Sequence, residues 1–514
     1  MLAAENGGLP GGKVGGMGDV IRELPIALAR RGHQVSILTP AYGFLARLPA
    51  LRRGGTLSFP FAGAAQSCAW LEAASGVPAV TYYLLDHPRF TPGGEERIYH
   101  DDDAGAPFAT DASKFAFFSA AGAEFIRTLD SPPDIVHLHD WHTGLYLLIR
   151  RFDPAYRELS KIRTVFTIHN LALQGIRPLT ETDSSLRHWF PNLYLAPETA
   201  GDPRYPGCVN PLAAAIRLAD AVNTVSPGYA EEILVASDAN TGRHGGEGLE
   251  ELLAARHREG ALTGILNGCD YPPVSRPKRG WPRLLATIRD ELMRWIAASR
   301  SVDAAAWLAD QRLSALPQRR PPVVLTSVGR ITEQKSGLLR ERLGNDVTAI
   351  DLILNSLDKG VLIMLGNGDA EHEDFLQHVM ARHANFLFLK GYSDALAEAL
   401  YAGGDLFLMP SSFEPCGISQ MLAMRAGLPC VAHAVGGLKN TVTRANGFPF
   451  SGATPREQAG NFVQAVGQAV EIKLERPEHW RALTLAAARE RFTWDVSARR
   501  YLEEVYAVDA AAET

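Results

Sequence analysis

Several things this 514-residue sequence has little of narrow its function before any motif is read. It carries only five cysteines, Cys68, Cys208, Cys269, Cys416 and Cys430, widely spaced and without a C-x-x-C pair. Neither a disulfide framework nor a zinc site follows from that pattern, and a reducing compartment fits it. Positive charge is not in excess. A formal net charge of −6 supplies no basic field for nucleic acid or an anionic membrane, so an anionic ligand needs a local cluster of cations. No stretch approaches the ~20 apolar residues that span a bilayer, and the first residues lack the pattern of an export signal. A cytoplasmic protein is expected. Acidic residues suited to a metal on phosphates are also lacking: Asp101-Asp102-Asp103 lies in a polar loop far from any phosphate motif. No metal and no cofactor are expected. No repeat at a solenoid period is visible, and low complexity is confined to the Ala-rich tail after Tyr506.

The length calls for at least two domains, and 46% hydrophobic with 21% charged residues is a globular composition. Short β-branched runs alternate with helical patterns: Val35–Thr39, Ile135–His139, Thr164–Ile168, Val323–Ser327, Val361–Leu365, Leu406–Met409 and Cys430–His433. Such alternation predicts parallel sheets of βαβ units. The rhythm breaks between Tyr271 and Pro322, which opens with Pro272, Pro273, Pro277 and Pro282. Two doubly wound α/β domains are expected, residues 1–270 and 271–490, with 491–514 as a closing helix and tail. Ligands sit at the carboxyl ends of strands in such sheets, so the expected site lies in a cleft between facing domains.

Polar residues gather where those strands end. Gly11-Gly-Lys-Val-Gly-Gly-Met-Gly-Asp19 precedes an amphipathic helix read over Val20–Arg31. Its glycines, Gly15 and Gly16 among them, allow close backbone approach, and the helix N-terminus suits a phosphate. The run is neither a Walker loop nor a strict G-x-G-x-x-G, and a flexible turn would also account for it. His137-Leu-His-Asp-Trp-His142 puts His137 and His139 on one strand face. It resembles metallohydrolase runs, but the order is wrong and no further ligands support a metal. Asp140 and His142 then become candidates for sugar hydroxyls, while His137 suits the core. Thr167–Gly175 similarly delivers His169, Asn170 and Gln174 past a strand end. In the C-terminal half, Ser327–Lys335 ends a strand with Arg330 and Lys335, two cations able to stabilise a departing diphosphate. Met409-Pro-Ser-Ser-Phe-Glu-Pro-Cys-Gly417 sets Glu414, beside Cys416 and Gly417, ahead of a helix. Gly436 and Gly437 offer further backbone amides.

The ordered set K-V-G-G-M-G-D-V, H-D-W-H-T-G, T-I-H-N-L-A-L-Q-G, N-T-V-S-P-G-Y, G-E-G-L-E-E-L-L, G-I-L-N-G-C-D-Y, G-R-I-T-E-Q-K, S-S-F-E-P-C-G and G-G-L-K-N-T-V resembles bacterial glycogen synthases and plant starch synthases over nearly the whole chain. The resemblance implies the GT-B architecture, with two Rossmann-like domains and a C-terminal helix, begun by Phe492–Ser497, crossing back to the first. It also implies transfer of glucose from ADP-glucose to the non-reducing end of an α-1,4-glucan, with retention and no essential metal. By motif, Lys13, Gly16 and Asp19 would contact the donor or the growing chain end. Asp140, His169 and Asn267 would line the glucose pocket, Arg330 and Lys335 would hold the distal phosphate, and Glu414 would anchor the donor glucose.

The sequence departs from the family in places. Only Met1-Leu2 precede Ala3-Ala4-Glu5, so a truncated first strand is expected. Leu173 stands for the usual tyrosine, Val435 for threonine and Asn440 for aspartate, and Arg340–Val347 reads as an insertion. Two other readings stay open at this point. One is a related retaining glycosyltransferase with another donor or a small acceptor. The other is a non-catalytic glucan-binding relative, which should have lost the Arg330, Lys335 and Glu414 cluster. Oligomeric state is not legible.

Overall fold

The computed structural model describes residues 1–271, 280–298, 304–344 and 346–508. Three of the four linker prolines and the end of the Ala-rich tail lie outside the described residues. The chain forms two compact units. The first comprises Met1–Ser237, Gly245–Gly268 and the segment from Trp494 onward; the second comprises Asp238–His244 and Cys269–Thr493.

In the first unit, β1 (Val35–Pro40), β2 (Arg52–Phe61), β3 (Ala64–Ala74) and β4 (Val80–Asp86) form a sheet in the order β1-β4-β3-β2. The β2–β3 hairpin is antiparallel, whereas β1 and β4 are parallel. A second set, β5 (Ile135–His139), β6 (Arg163–Ile168), β9 (Ala221–Thr224) and β10 (Leu262–Gly264), is parallel throughout, in the order β10-β9-β6-β5. A two-residue pair, β7 (Arg177–Pro178) with β8 (Cys208–Val209), stands apart. Leu2 joins the two sets, bridging in parallel to Leu38 of β1 and Leu138 of β5. Its N–H donates to His137 at 2.8 Å, and that of Ala3 donates to Leu38 at 3.2 Å. The central position of the sheet is thus held by a single bridging residue. The order around it reverses there, with β1 and β4 on one side and β5, β6 and β9 on the other.

The helices that matter for the site follow these strands. Helix α1 (Gly16–Ala29) begins four residues before the position read from the sequence, because Gly15 is extended and the chain turns helical at Gly16. Helix α2 (Ala109–Arg127) and helix α3 (Trp141–Phe152) pack on each other. The chain returns to this unit at the helix Trp494–Arg500, which continues as a π-helix, Tyr501–Tyr506. Asp495 pairs with Arg31 at 2.9 Å, and Ser497 donates to the Leu266 carbonyl at 2.7 Å.

The second unit holds a six-stranded, wholly parallel sheet of β11 (Val323–Val328), β12 (Gly360–Gly366), β13 (Phe386–Lys390), β14 (Leu406–Met409), β15 (Cys430–His433) and β16 (Phe448–Phe450). The order β13-β12-β11-β14-β15-β16 is the Rossmann order 3-2-1-4-5-6. Val324, Leu325, Leu362, Ile363, Leu387 and Phe407 are fully buried, and the near-continuous apolar strands reflect a sheet covered on both faces. One segment departs from the sequence reading, which assigned 1–270 to the first domain. Asp238–His244 belongs with the second unit: His244 stacks on Phe413 with ring centroids 4.0 Å apart, and Gln458 donates to the Thr241 carbonyl at 3.3 Å.

Candidate active site

Each unit offers its polar groups where its own strand order reverses, the place where doubly wound sheets leave a crevice. In the first unit, the loop after Leu2 is tied down by Glu5, a carboxylate only 3% exposed. Its Oε2 accepts the N–H groups of Val14 and Gly15, at 2.8 and 2.7 Å. Its Oε1 accepts the Tyr99 hydroxyl at 2.9 Å. The glycine-rich run therefore arrives at α1 in a fixed shape, with Gly15 at the N-cap and no side chain capping the helix. Exposed Lys13 is held against Asp19 at 2.6 Å, across the mouth of that N-terminus.

Asp140 follows β5 on the other side of the reversal. Its backbone has φ 56° and ψ 179°, a region open chiefly to glycine, which costs a side-chain residue about 1–3 kcal/mol. The conformation is fixed by the Asp140 N–H, which donates to Thr167 at 2.9 Å, and by the carboxylate, which accepts the His169 N–H at 2.7 Å. Burial pushes its pKa up to about 7, against the opposing pull of the His169 and Asn170 amides. Burial also lowers His169 to about 3, so its imidazole is neutral at physiological pH. His169 Nε2 lies 3.0 Å from His139 Nδ1. Asn170 is half-buried, its Oδ1 accepting the Ala172 N–H at 2.9 Å. Asn267 is buried, with an Oδ1 that has no partner among the described residues.

In the second unit, Arg330 and Lys335 follow β11 and Glu414 follows β14, the two neighbours at which the order reverses. Arg330 and Lys335 line one cavity with Gly329, Ser336, Pro410 and Ser411. Lys335 Nζ is ion-paired to Glu414 Oε2, which also accepts the Ser411 hydroxyl at 3.3 Å. Assigned by sequence to different parts of the donor, Lys335 to its phosphate and Glu414 to its glucose, the two hold each other here. Arg330 is exposed and has no side-chain partner among the described residues. The Glu414 loop is packed against Gly436 and Gly437. A Cβ on Gly436, whose φ is +44°, would meet the Glu414 carbonyl at 1.9 Å, and one on Gly437 would meet that of Cys416 at 2.3 Å. The Gly437 N–H donates to Glu414 O at 3.0 Å, so in this geometry it braces the loop instead of facing outward. Cys416 is buried, and Gly417 turns the chain with φ +78°. His433, stacked on Phe450, reaches the Ser411 and Ser412 carbonyls through Nδ1.

Residues 1–255 match the model of the starch synthase catalytic domain, and residues 322–471 match that of glycosyl transferases group 1. A glycogen synthase from Anaeromyxobacter sp. is 35% identical over 508 residues, covering 96% of both chains. Another, from Streptococcus equi subsp. equi, is 32% identical over 98% of both. The chain belongs to the glycogen and starch synthase family. The catalytic domain of starch synthase IV from Arabidopsis thaliana, solved bound to ADP and acarbose, superposes with a TM-score of 0.74 at 26% identity, covering 98% of each chain. As a member of this glycogen synthase family, the protein is a glucosyltransferase of GT-B fold that uses a nucleotide-sugar donor and a glucan acceptor. No described helix is long and apolar enough to cross a membrane.

Several polar residues of this family member are engaged within its own fold. Gln174, which the sequence delivers past a strand end, is buried and donates to the Leu171 and Glu247 carbonyls while accepting from Arg204 and Asn210. His142 is enclosed by Tyr99, Phe115 and Trp141, with ring centroids 4.3–5.4 Å away. Asp102 accepts from the Thr110 N–H and hydroxyl at the start of α2. Among the departures, Leu173 is 52% exposed, and Val435 sits at the N-cap of the helix Gly436–Thr441, where it has no side-chain oxygen to offer. Sequence reasoning missed the parts played by Glu5 and Tyr99. The only local signal was an acid just ahead of a glycine-rich run.

Proposed function

We propose that the protein transfers glucose from ADP-glucose to the non-reducing end of an α-1,4-glucan, with retention at the anomeric carbon and without a divalent metal. The observation that carries this reading is the convergence of Arg330, Lys335 and Glu414 on adjacent strand ends at the reversal point of the second sheet. Two cations and one carboxylate there match a ligand with a diphosphate at one end and sugar hydroxyls at the other. Arg330 engages phosphate oxygens through two donors, and Lys335 adds a compact charge. Donor binding inserts a sugar hydroxyl at Glu414 and a phosphate at Lys335, in place of their contact with each other. As the glycosidic oxygen departs, charge grows on the phosphate and these fixed cations stabilise it. The acceptor hydroxyl attacks the anomeric carbon from the face the diphosphate leaves, and its proton passes to the departing phosphate oxygen. On this reading Asp140, His169, Asn170 and Asn267 line the glucose pocket. Lys13, Asp19 and the N-terminus of α1 meet the donor or the chain end, and Cys416 and Gly417 shape the turn beneath it.

The test is incubation with ADP-glucose or UDP-glucose and a maltooligosaccharide, followed by chain-length and linkage analysis. ADP release with α-1,4 extension is expected. A small disaccharide product, preference for another nucleotide, or no transfer at all would each overturn it.

A further inference from the structure

A row of buried polar side chains runs beneath β5 and β6 from the C-terminal π-helix to His169, and each donor in it constrains the next. Asn223 donates from Nδ2 to the Tyr501 hydroxyl at 2.9 Å, so its Oδ1 faces Thr167, whose hydroxyl donates to it at 2.6 Å. With its one proton committed, Thr167 Oγ1 can only accept from His137 Nε2, 2.6 Å away. His137, kept neutral by burial, therefore has a bare Nδ1, which accepts the Tyr506 hydroxyl at 2.8 Å. The His137 ring is fixed at both ends. Against it lies the His139 ring, centroid to centroid 4.1 Å and 32° from parallel.

His139 is fully buried, and its Nε2 has no partner among the described residues. Its Nδ1 faces His169 Nε2 at 3.0 Å, and one of the two must donate. If His169 donated, the single proton of neutral His139 would sit on Nε2, a buried N–H without an acceptor. An orphaned buried donor is rarer than an unfilled acceptor lone pair. The proton therefore sits on His139 Nδ1. His169 accepts at Nε2 and carries its own proton on Nδ1, which makes no hydrogen bond among the described residues.

We propose that His139 is a positioning residue for glucosyl transfer, donating from Nδ1 to His169 Nε2 so that His169 meets the sugar as the Nδ1–H tautomer, a fixed hydrogen-bond donor. This rests on the reading above that His169 faces the donor sugar. His169 is on this account neither a base nor a proton carrier. The Tyr506–His137 pair is the wall that keeps the His139 ring in plane.

The test compares His139→Leu with His139→Asn, whose amide N–H lies near the place of Nδ1. Loss of one hydrogen bond of about 1–2 kcal/mol corresponds to a 5- to 30-fold fall. His139→Leu should lose that much in kcat with little change in the KM for glucan, and His139→Asn should stay within about threefold of wild type. Equal losses in both variants, or none in either, overturn the proposal. In histidine-15N-labelled wild-type protein, with His169 assigned from the signals lost in His169→Gln, Nδ1 should be pyrrole-like and Nε2 pyridine-like. The reverse pattern overturns it even if His139→Leu does not fold. A separate arm tests the underlying reading. Full activity in both His169→Asn and His169→Gln would refute a sugar-facing His169, whereas two weakened His169 variants beside an active His139→Leu would refute the tautomer assignment alone.

Discussion

Replacing Glu5 by alanine should release the glycine-rich loop from the first unit. The carboxylate accepts two backbone N–H groups and one tyrosine hydroxyl, at 2.7–2.9 Å, inside an environment that leaves it 3% exposed. Hydrogen bonds to a charged group contribute about 1.5–3 kcal/mol each, so the two amide bonds alone hold the loop by roughly 3–6 kcal/mol. Glu5→Gln differs in kind, because its oxygen can still accept both amides while its NH2 group donates to Tyr99, now acting as an acceptor. Only the charge reinforcement is lost. In Glu5→Ala, hydrogen exchange at the Val14 and Gly15 amides should accelerate by at least about 100-fold, and kcat/KM should fall by a similar factor, equivalent to roughly 3 kcal/mol. Glu5→Gln should retain most of both. Slow exchange and wild-type kinetics in Glu5→Ala would show that the loop is shaped by its glycines alone and that the buried carboxylate is not its anchor.

Three further outcomes follow from the same geometry. Glu414→Gln, which keeps the shape and a neutral contact for Lys335, should lower transfer more than tenfold while Tm falls by no more than about 4 °C, roughly 1 kcal/mol in a domain of this size; activity within tenfold of wild type would refute the sugar-anchoring role. Transfer should persist in excess EDTA, while Arg330→Ala and Lys335→Ala lower kcat more than they weaken donor binding; loss on chelation with recovery on adding magnesium would refute the cation account. Asp140, raised from an ordinary value near 3.8 to about 7, holds a proton in the folded chain that the unfolded chain has lost between those values, so its contribution to stability falls as pH rises from about 4 to about 7. Between pH 5 and pH 8 that loss is about 2.7 kcal/mol, and Asp140→Asn should abolish it, which urea titrations of both proteins at those two pH values would read directly.

How much was legible depended on how completely each element is buried. The strands Ile135–His139, Leu406–Met409 and Cys430–His433 have the limits read from the sequence, since parallel strands covered on both faces are mostly apolar, with His137, His139 and His433 as buried exceptions. The hairpin Arg52–Ala74 was not seen. Its buried Leu57, Phe59 and Phe61 alternate with exposed residues after an Arg-Arg-Gly-Gly opening and around Pro60, a pattern that also suits a loop. Candidate site residues were visible as polar side chains at strand ends, but their bonds to each other were not. Lys335 and Glu414 are 79 residues apart, and their pairing exists only because β11 and β14 are neighbours. Gln174 looked free because the groups that satisfy it, Asn210, Arg204 and the Glu247 carbonyl, lie 30 to 73 residues away.

The return of the chain to the first unit at Trp494 bears on how the molecule is made. Synthesis delivers most of that unit first, yet His137 and Asn223 gain Tyr506 and Tyr501 only after the whole of Cys269–Thr493 has left the ribosome. A nascent chain halted before that helix would carry a finished second sheet and a first one with its interior histidines and amide open to water. Chaperone engagement should therefore outlast the emergence of the N-terminal half and end only once Tyr501–Tyr506 has emerged. An affinity tag or fusion partner placed directly behind Tyr506 should slow the step that closes Tyr506 and Tyr501 over His137 and Asn223.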